Sequence, residues 1–246
     1  MEAQSKRLAS NRTLTEKTRD GVYAKARQVL SFAASPSLLA WCEPGQAKEP
    51  FDPVAFVGST DSLFLLSQEG TGSAGPIVAA LVKAVLSAAE KKAATNGGRL
   101  PVPLVAVLDE AANICRIPEL PDKYSHYGSR GIMPITILQS YEQGEEAWGR
   151  AGMAKLFSAA NLTTVGGSIT STDFLKRVSD LIGTYQYNER TVSYNSGGQG
   201  RPGGTSIGSQ RHTENILEVS DLAALPADRI VVISSACPPV LAKTTP

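Results

Sequence analysis

Residues 103–113 read Pro-Leu-Val-Ala-Val-Leu-Asp-Glu-Ala-Ala-Asn, and no other stretch constrains the fold as strongly. Leu104 to Leu108 is a continuous apolar run, too short to span a membrane and without the alternation of a half-wet strand. Such a run reads as one strand of a parallel sheet, buried on both faces. It ends abruptly in two carboxylates, Asp109 and Glu110. Ligands of open α/β sheets bind just beyond the carboxyl ends of the strands, so both acids stand at a candidate site.

An apolar strand closed by Asp-Glu has the Walker B pattern of nucleotide-driven motors. In that pattern the first acid holds the magnesium ion of bound ATP, usually through water, because this ion keeps much of its shell. The second acid orients or polarises the water that attacks the γ-phosphate. The competing reading is a strand end whose acids cap the next helix, where Asp and Glu are also favoured. A further strand at 133–138 runs into Gln139, 29 positions after Glu110, which is the size of one crossover βαβ step. The right-handed crossover rule makes the two strands parallel and brings their carboxyl ends to one edge. Gln139 then shares the crevice with Glu110, either sensing the γ-phosphate through hydrogen bonds or capping the following helix.

The chain of 246 residues suits one large α/β domain or two small ones. Its 24 basic and 23 acidic side chains give a net charge of +1, so overall charge makes no case for nucleic acid. Residues 1–30 are locally basic, which suits either phosphate contact or a solvated helix face. Cys42, Cys115 and Cys237 are sparse and unpaired in spacing, as in a reducing compartment. His126 and His212 have no Cys or His at ligand spacing, which argues against zinc. No apolar run approaches 18 residues, so no membrane-spanning helix is expected in this sequence.

Taken in order, residues 1–45 form a helical segment, and the Pro/Gly-rich stretch near 43–50 marks a boundary before a larger domain at 46–246. Residues 62–67 read as a buried strand. A glycine-rich turn at 70–76 then leads into a long helix from Ile77 to about Ala94. Strand, glycine turn and helix have the shape of a phosphate loop, but the chain contains no G-x-x-x-x-G-K-[ST]. Helices are expected near 120–129, with Gly131 as stop, and at 140–147, 149–160 and 172–182. Leu162 to Val165 is a short strand before Gly166-Gly167, and 229–234 and 240–243 are closing strands. Residues 184–214 form a β-ribbon with a glycine-rich tip. Between Glu189 and Glu214 the ribbon has no acid but carries Arg190, Arg201 and Arg211. Such a loop suits a backbone-tracking DNA contact or a disordered linker.

From about residue 51 onward the chain resembles the motor domain of the TraG/TraD-type coupling proteins of conjugative type IV secretion, in particular their actinomycete branch. Leu-Val-Ala-Val-Leu-Asp-Glu-Ala-Ala-Asn at 104–113, Tyr-Ser-His-Tyr-Gly-Ser-Arg-Gly-Ile at 124–132 and Thr-Ile-Leu-Gln-Ser-Tyr-Glu-Gln at 136–143 carry the resemblance. Ser-Ala-Ala-Asn at 158–161, Phe-Leu-Lys-Arg-Val-Ser-Asp-Leu-Ile-Gly at 174–183 and Leu-Pro-Ala-Asp-Arg-Ile-Val-Val-Ile-Ser at 225–234 add to it. The resemblance implies a RecA-like P-loop NTPase core, represented by its Walker B half, with a mainly parallel central sheet flanked by helices. It implies ATP and Mg2+ as cofactors, a homo-oligomeric ring, usually a hexamer, and a cytoplasmic place at the inner face of the plasma membrane. Implied partners are relaxase-bound single-stranded DNA, relaxosome proteins and the type IV secretion channel.

By position in the family pattern, Asp109 is the magnesium acid, Glu110 the water-polarising acid and Gln139 the sensor. Arg130 lies near an arginine that reaches a neighbouring subunit's nucleotide. Residues 1–45 resemble the end of the family's all-helical insertion. The family's N-terminal membrane helices and Walker A half have no counterpart here, so the chain is expected to contribute half a nucleotide site. Two other functions compete with the motor. One is a docking module for relaxosome or secretion proteins that turns nothing over; the other is an unrelated α/β hydrolase using Asp109 and Glu110. Against the hydrolase stand the missing G-x-S-x-G and the lack of a metal cluster.

Overall fold

The computed structural model describes residues 15–43, 50–67, 73–195 and 204–244. They belong to two compact units, Met1–Ala159 and Ala160–Pro246. The linker expected at the boundary near residue 45 falls largely within 44–49, outside the described residues, as do the glycine-rich turn at 70–72 and the ribbon tip with Arg201.

The first described elements of the first unit are α1 (Glu16–Val29), a 3-10 turn (Ser31–Ala34) and α2 (Pro36–Cys42). Ser35 is extended, at φ −99° and ψ 112°, because the following proline crowds out the helical region. α3 (Pro53–Val57) is capped by Asp52, whose carboxylate accepts from the Val54 N–H at 2.8 Å. α4 (Gly75–Thr95) is the long helix expected after the glycine turn. Gly75 is needed there, since a Cβ at this position would lie 3.1 Å from the Ile114 carbonyl oxygen.

β1 (Leu104–Leu108) is followed by α5 (Leu120–Tyr127), a 3-10 turn (Gly128–Arg130) and β2 (Ile132–Thr136). Gly131 stops the helix as expected, in the left-handed region at φ 76°. β1 and β2 pair in parallel, Leu104 with Ile132 through Leu108 with Thr136. Leu104 donates to the Gly131 carbonyl and Ile137 to the Leu108 carbonyl, each bond continuing the ladder past a strand end. By the alternation of a parallel ladder, the N–H groups of residues 133, 135 and 137 face β1. Position 134 faces away, so proline costs no ladder bond there. The Pro134 carbonyl on that outer edge is taken by the Tyr124 hydroxyl at 2.9 Å.

One face of this pair is core. Leu108 and Ile132 are buried together with Leu86, Ala89 and Ala93 of α4 and Leu120 and Tyr127 of α5. The alanines let α4 approach closely. α6 (Tyr141–Ala159) closes the unit as two helical segments meeting at Gly149, which is non-helical at φ 74° and ψ 161°. The break falls where the sequence places it. The Trp148 indole N–H donates to the Ile117 carbonyl at 2.8 Å and ties the first segment to the loop after β1.

Two expectations fail in this unit. The β1 strand is buried on one face only: Val105 and Val107 are exposed, as are Met133 and Ile135 opposite them and Ile137 beyond. The helices of the unit gather on a single face of the pair, which leaves the other without cover. Residues 62–67, expected as a buried strand, form no strand in the structure, and Phe64 is 86% and Leu66 93% exposed. Both stretches carry the apolar pattern of an inner strand, yet their outward side chains are uncovered among the described residues.

The second unit holds the antiparallel sheet β3–β6–β7, formed by β3 (Leu162–Val165), β6 (Arg229–Ser234) and β7 (Val240–Lys243). α7 (Thr172–Ile182) buries Leu175 and Val178 against Val165, Val231 and Leu222, the last on the short α8 (Val219–Ala223). The Ser179 hydroxyl, buried on α7, donates to the Leu217 carbonyl at 2.6 Å. The second of the paired glycines after β3 is dictated by space: a Cβ on Gly167 would collide with the backbone oxygen of Leu225. Gly167→Ala is therefore expected to lower stability by about 1–3 kcal/mol, read as a shifted denaturant midpoint; an unchanged midpoint would mean that the β3 turn yields freely.

The ribbon is present. β4 (Thr184–Asn195) and β5 (Gly204–Asn215) pair antiparallel along their whole length, from Thr184 with Asn215 to Asn195 with Gly204.

Candidate functional site

The chain turns sharply as β1 ends. Glu110 occupies the left-handed region at φ 50°, a costly conformation for a side chain with a Cβ. Its carbonyl accepts from the N–H groups of Asn113 and Ile114, at 2.8 and 2.9 Å, and the Ala111 N–H reaches the Ile137 carbonyl at 3.2 Å. These bonds lock the turn after β1 onto the end of β2. Backbone strain of this kind persists only where surrounding bonds over-determine it.

The turn brings the expected residues together. Gln139 donates from Nε2 to Glu110 Oε1 at 2.6 Å, so both stand at the same edge of the parallel pair. Two amides that the sequence pattern did not single out complete the arrangement. Asn113 Nδ2 donates to the other carboxylate oxygen of Glu110 at 3.2 Å, and Gln143 Nε2 donates to Gln139 Oε1 at 3.2 Å. The spacing offered a signal for both, since Asn113 lies three residues after Glu110 and Gln143 four after Gln139. A chain Gln143–Gln139–Glu110–Asn113 thus orients one carboxylate from both sides. Asp109 ends β1 with an exposed side chain.

A single free carboxylate fits a magnesium ion, which takes one or two protein oxygens and completes its shell with water and phosphate. No cluster of three or more His, Cys, Asp or Glu able to hold a metal alone occurs among the described residues. What the site lacks is an anion cradle: Asp109 and Glu110 are both acids, and no phosphate-loop lysine is available in the sequence.

Arg130 is placed elsewhere. It precedes β2 and so lies at the opposite edge of the pair from Asp109 and Gln139, about 16 Å of strand away. Its Nη1 is 2.9 Å from Glu90 Oε1 on α4, and Lys123 shares the same carboxylate. Burial, with Glu90 and Glu119 nearby, pushes the neighbouring Tyr127 phenol up to about 12. Arg130 therefore pins α4 to the turn before β2 and does not enter this chain's own crevice.

Burial also pushes the Cys115 thiol up to about 11, just beyond the site turn, whereas Cys42 and Cys237 are exposed. At pH 8 iodoacetamide is expected to label Cys42 and Cys237 quickly and Cys115 only in denaturant. Rapid labelling of all three, read by peptide mass, would show that the turn opens.

On the ribbon, Arg190 and Arg211 are both exposed. The register pairs Asn188 with Arg211 and Arg190 with Ser209, so the two arginines are diagonal neighbours on one face. The other face is occupied with itself: the Tyr185 and Tyr187 hydroxyls both donate to Glu214, at 2.9 and 2.7 Å, and Tyr187 stacks on His212. The two phenol bonds hold the Glu214 carboxyl below its ordinary range, and the same bond pushes the Tyr187 phenol up to about 12.

Comparison with known proteins gives the family and the fold. Residues 103–227, 125 of the 246, match the family model described as the TraM recognition site of TraD and TraG. No curated protein sequence matches the chain significantly. The fold is similar to that of the bacterial conjugative coupling protein TrwB. Its unbound monoclinic form superposes with a TM-score of 0.60 at 17% identity, over 94% of this chain and 51% of that one. TrwB with ADP and Mg2+ gives 0.57 at 17% identity, over 94% and 50%, and TrwB with the ATP analogue ADPNP gives 0.55 at 17%, over 94% and 50%. The chain thus spans about half the length of these structures, and the likeness makes its fold α/β and RecA-like. With more than half of its length inside the family model and its acids and glutamine gathered at one strand edge, the chain belongs to the TraG/TraD family of coupling proteins.

Proposed function

We propose that this chain forms the Walker B half of an ATP-driven motor that moves relaxase-bound single-stranded DNA toward a type IV secretion channel. One observation carries the reading: Glu110 and Gln139 are hydrogen-bonded at the shared carboxyl edge of two parallel strands. In this role Asp109 holds Mg2+ through water, Glu110 polarises the attacking water and Gln139 senses the γ-phosphate. Asn113 and Gln143 keep the last two in register. ATP would supply the γ-phosphoryl group that water attacks, with ADP leaving; the cradle for its β- and γ-phosphates would come from a phosphate-loop half of the fold.

That half also accounts for the uncovered apolar face of Val105, Val107, Met133, Ile135 and Ile137 and for the exposed Phe64 and Leu66. Parallel strands are stable when both faces are covered. The motor works as a homo-oligomeric ring, usually hexameric, at the inner face of the plasma membrane. Any action of Arg130 on nucleotide is on a neighbouring subunit's, after release from Glu90. Among the described residues no helix is long and apolar enough to cross a membrane.

A second reading has its own support. The family model is described by TraM recognition, and the chain carries no phosphate loop, which suits a module that docks a relaxosome protein without turnover. One experiment separates the two. Residues 1–246 joined behind a coupling protein's phosphate-loop half are expected to hydrolyse ATP well above background, and residues 1–246 alone are not. A joined protein that folds and binds a relaxosome protein but turns over no ATP would decide for docking.

A further inference from the structure

The two faces of the β4–β5 ribbon differ in chemistry. One carries Tyr185, Tyr187 and Glu189 opposite Glu214, His212 and Gln210. Most of its groups are engaged with one another, through the two phenol bonds to Glu214 and the Tyr187–His212 stack, with His212 Nε2 lying 3.1 Å from Glu189. These contacts hold the register and leave little for a partner. Both acids of the ribbon arms below residue 215 lie on this face.

The opposite face carries Gln186, Asn188, Arg190, Val192 and Tyr194 against Thr213, Arg211, Ser209, Ile207 and Thr205. It holds no carboxylate. Arg190 and Arg211 are diagonal neighbours, with Cβ atoms roughly 7 Å apart, and neither makes a side-chain hydrogen bond or ion pair among the described residues. Like charges so placed repel, and an anion between them relieves the repulsion. Beyond the arginines the same face becomes apolar: Val192 pairs with Ile207, which is 68% exposed, and Tyr194 is 81% exposed. Two guanidinium groups followed along the strand by an open aromatic ring have the make-up of a surface that grips phosphates and stacks a base.

We propose that this face of the ribbon is a binding surface for single-stranded DNA, with Arg190 and Arg211 on successive phosphates and Tyr194 stacked on a base. The choice of DNA as the polymer rests on the coupling-protein reading; the anion-binding face rests on the ribbon alone. A single strand fits better than a duplex, because a paired base offers no free ring face to Tyr194. The contact is independent of base sequence, since guanidinium and phenol here meet the backbone and the ring faces.

The test uses the full chain without nucleotide, and a fluorescein-labelled 20-nucleotide oligo-dT read by anisotropy across a salt series. Wild-type protein is expected to bind the single strand more tightly than a duplex of equal length. Arg190→Ala with Arg211→Ala should weaken binding and flatten the log–log salt slope by about 1.4, about 0.7 for each phosphate no longer neutralised. Tyr194→Ala should weaken it roughly ten-fold with the slope unchanged. Arg190→Lys with Arg211→Lys keeps both charges and should retain the slope, which guards against a folding effect. An unchanged affinity and slope in the double alanine variant overturns the proposal. So does wild-type protein that ignores oligo-dT but captures a relaxosome protein through the same residues, because the face is then a protein-docking surface. Because the assay contains no ATP, a motor reading that fails on turnover leaves its outcome untouched.

Discussion

Glu110→Gln, in a protein that also carries the phosphate-loop half, is expected to lower ATP turnover by about 10²–10⁴-fold while nucleotide stays bound. The substitution keeps the shape of the side chain and removes its charge. Glu110 accepts from Gln139 at Oε1 and from Asn113 at Oε2. A glutamine at 110 can still accept from Asn113, and rotation of the Gln139 amide, with that of Gln143 behind it, offers a carbonyl oxygen to its new N–H. The turn therefore survives, and what disappears is the carboxylate able to draw a proton from the attacking water. Binding is kept if, as proposed, the phosphates rest on the loop and the magnesium on Asp109, since neither is altered. Asp109→Asn separates the two acids, since it should weaken binding only when Mg2+ is present. Turnover by Glu110→Gln within two-fold of wild type, measured with nucleotide retention on the same sample, would remove Glu110 from the chemistry.

The parts of this site that were legible in the sequence are those set by local pattern and connection length. An apolar run ending in two acids, and a second ending in Gln139 one crossover later, suffice to bring Glu110 and Gln139 to one edge. Gly131, the break before Gly149 and the ribbon arms were readable for the same reason: each is a local choice of backbone or period. Four features were not. The aliphatic sequence of β1 implies burial of both its faces, but burial depends on what covers the strand, and this chain covers one side. Residues 62–67 have the composition of an inner strand, yet they form none here and leave Phe64 and Leu66 exposed, because composition alone does not bring a neighbouring strand. The placing of Arg130 follows from its position before β2 and not after it, and its tie to Glu90 spans 40 residues of sequence. The Asn113 and Gln143 amides escape a sequence pattern because a positioning role is visible only once the carboxylate they hold has a direction.

The uncovered face of β1 and β2 provides the other large effect. Val107 is 60% exposed, and Ile135, its cross-strand partner, is 49% exposed. Val107→Asp with Ile135→Asp should therefore leave residues 1–246 folded, at a cost of about 1 kcal/mol or less per site. The isolated variant should also be more soluble, because an apolar patch open to water is replaced by two charges. In the motor proposed above, the same two positions would lie against the phosphate-loop half. There an unpaired buried charge costs roughly 3–5 kcal/mol, a loss of about 10²–10³-fold or more in association. The expected pattern is a sharp split: an isolated chain that melts as before and sediments with less self-association, and a phosphate-loop partner that neither assembles with it nor hydrolyses ATP. Were the double variant to unfold on its own, the face would be core of this chain alone. Were it to assemble and turn over normally, the half-site that completes Asp109 and Glu110 would have to approach from the free edge of β1, where the Val105 and Val107 peptide groups point outward.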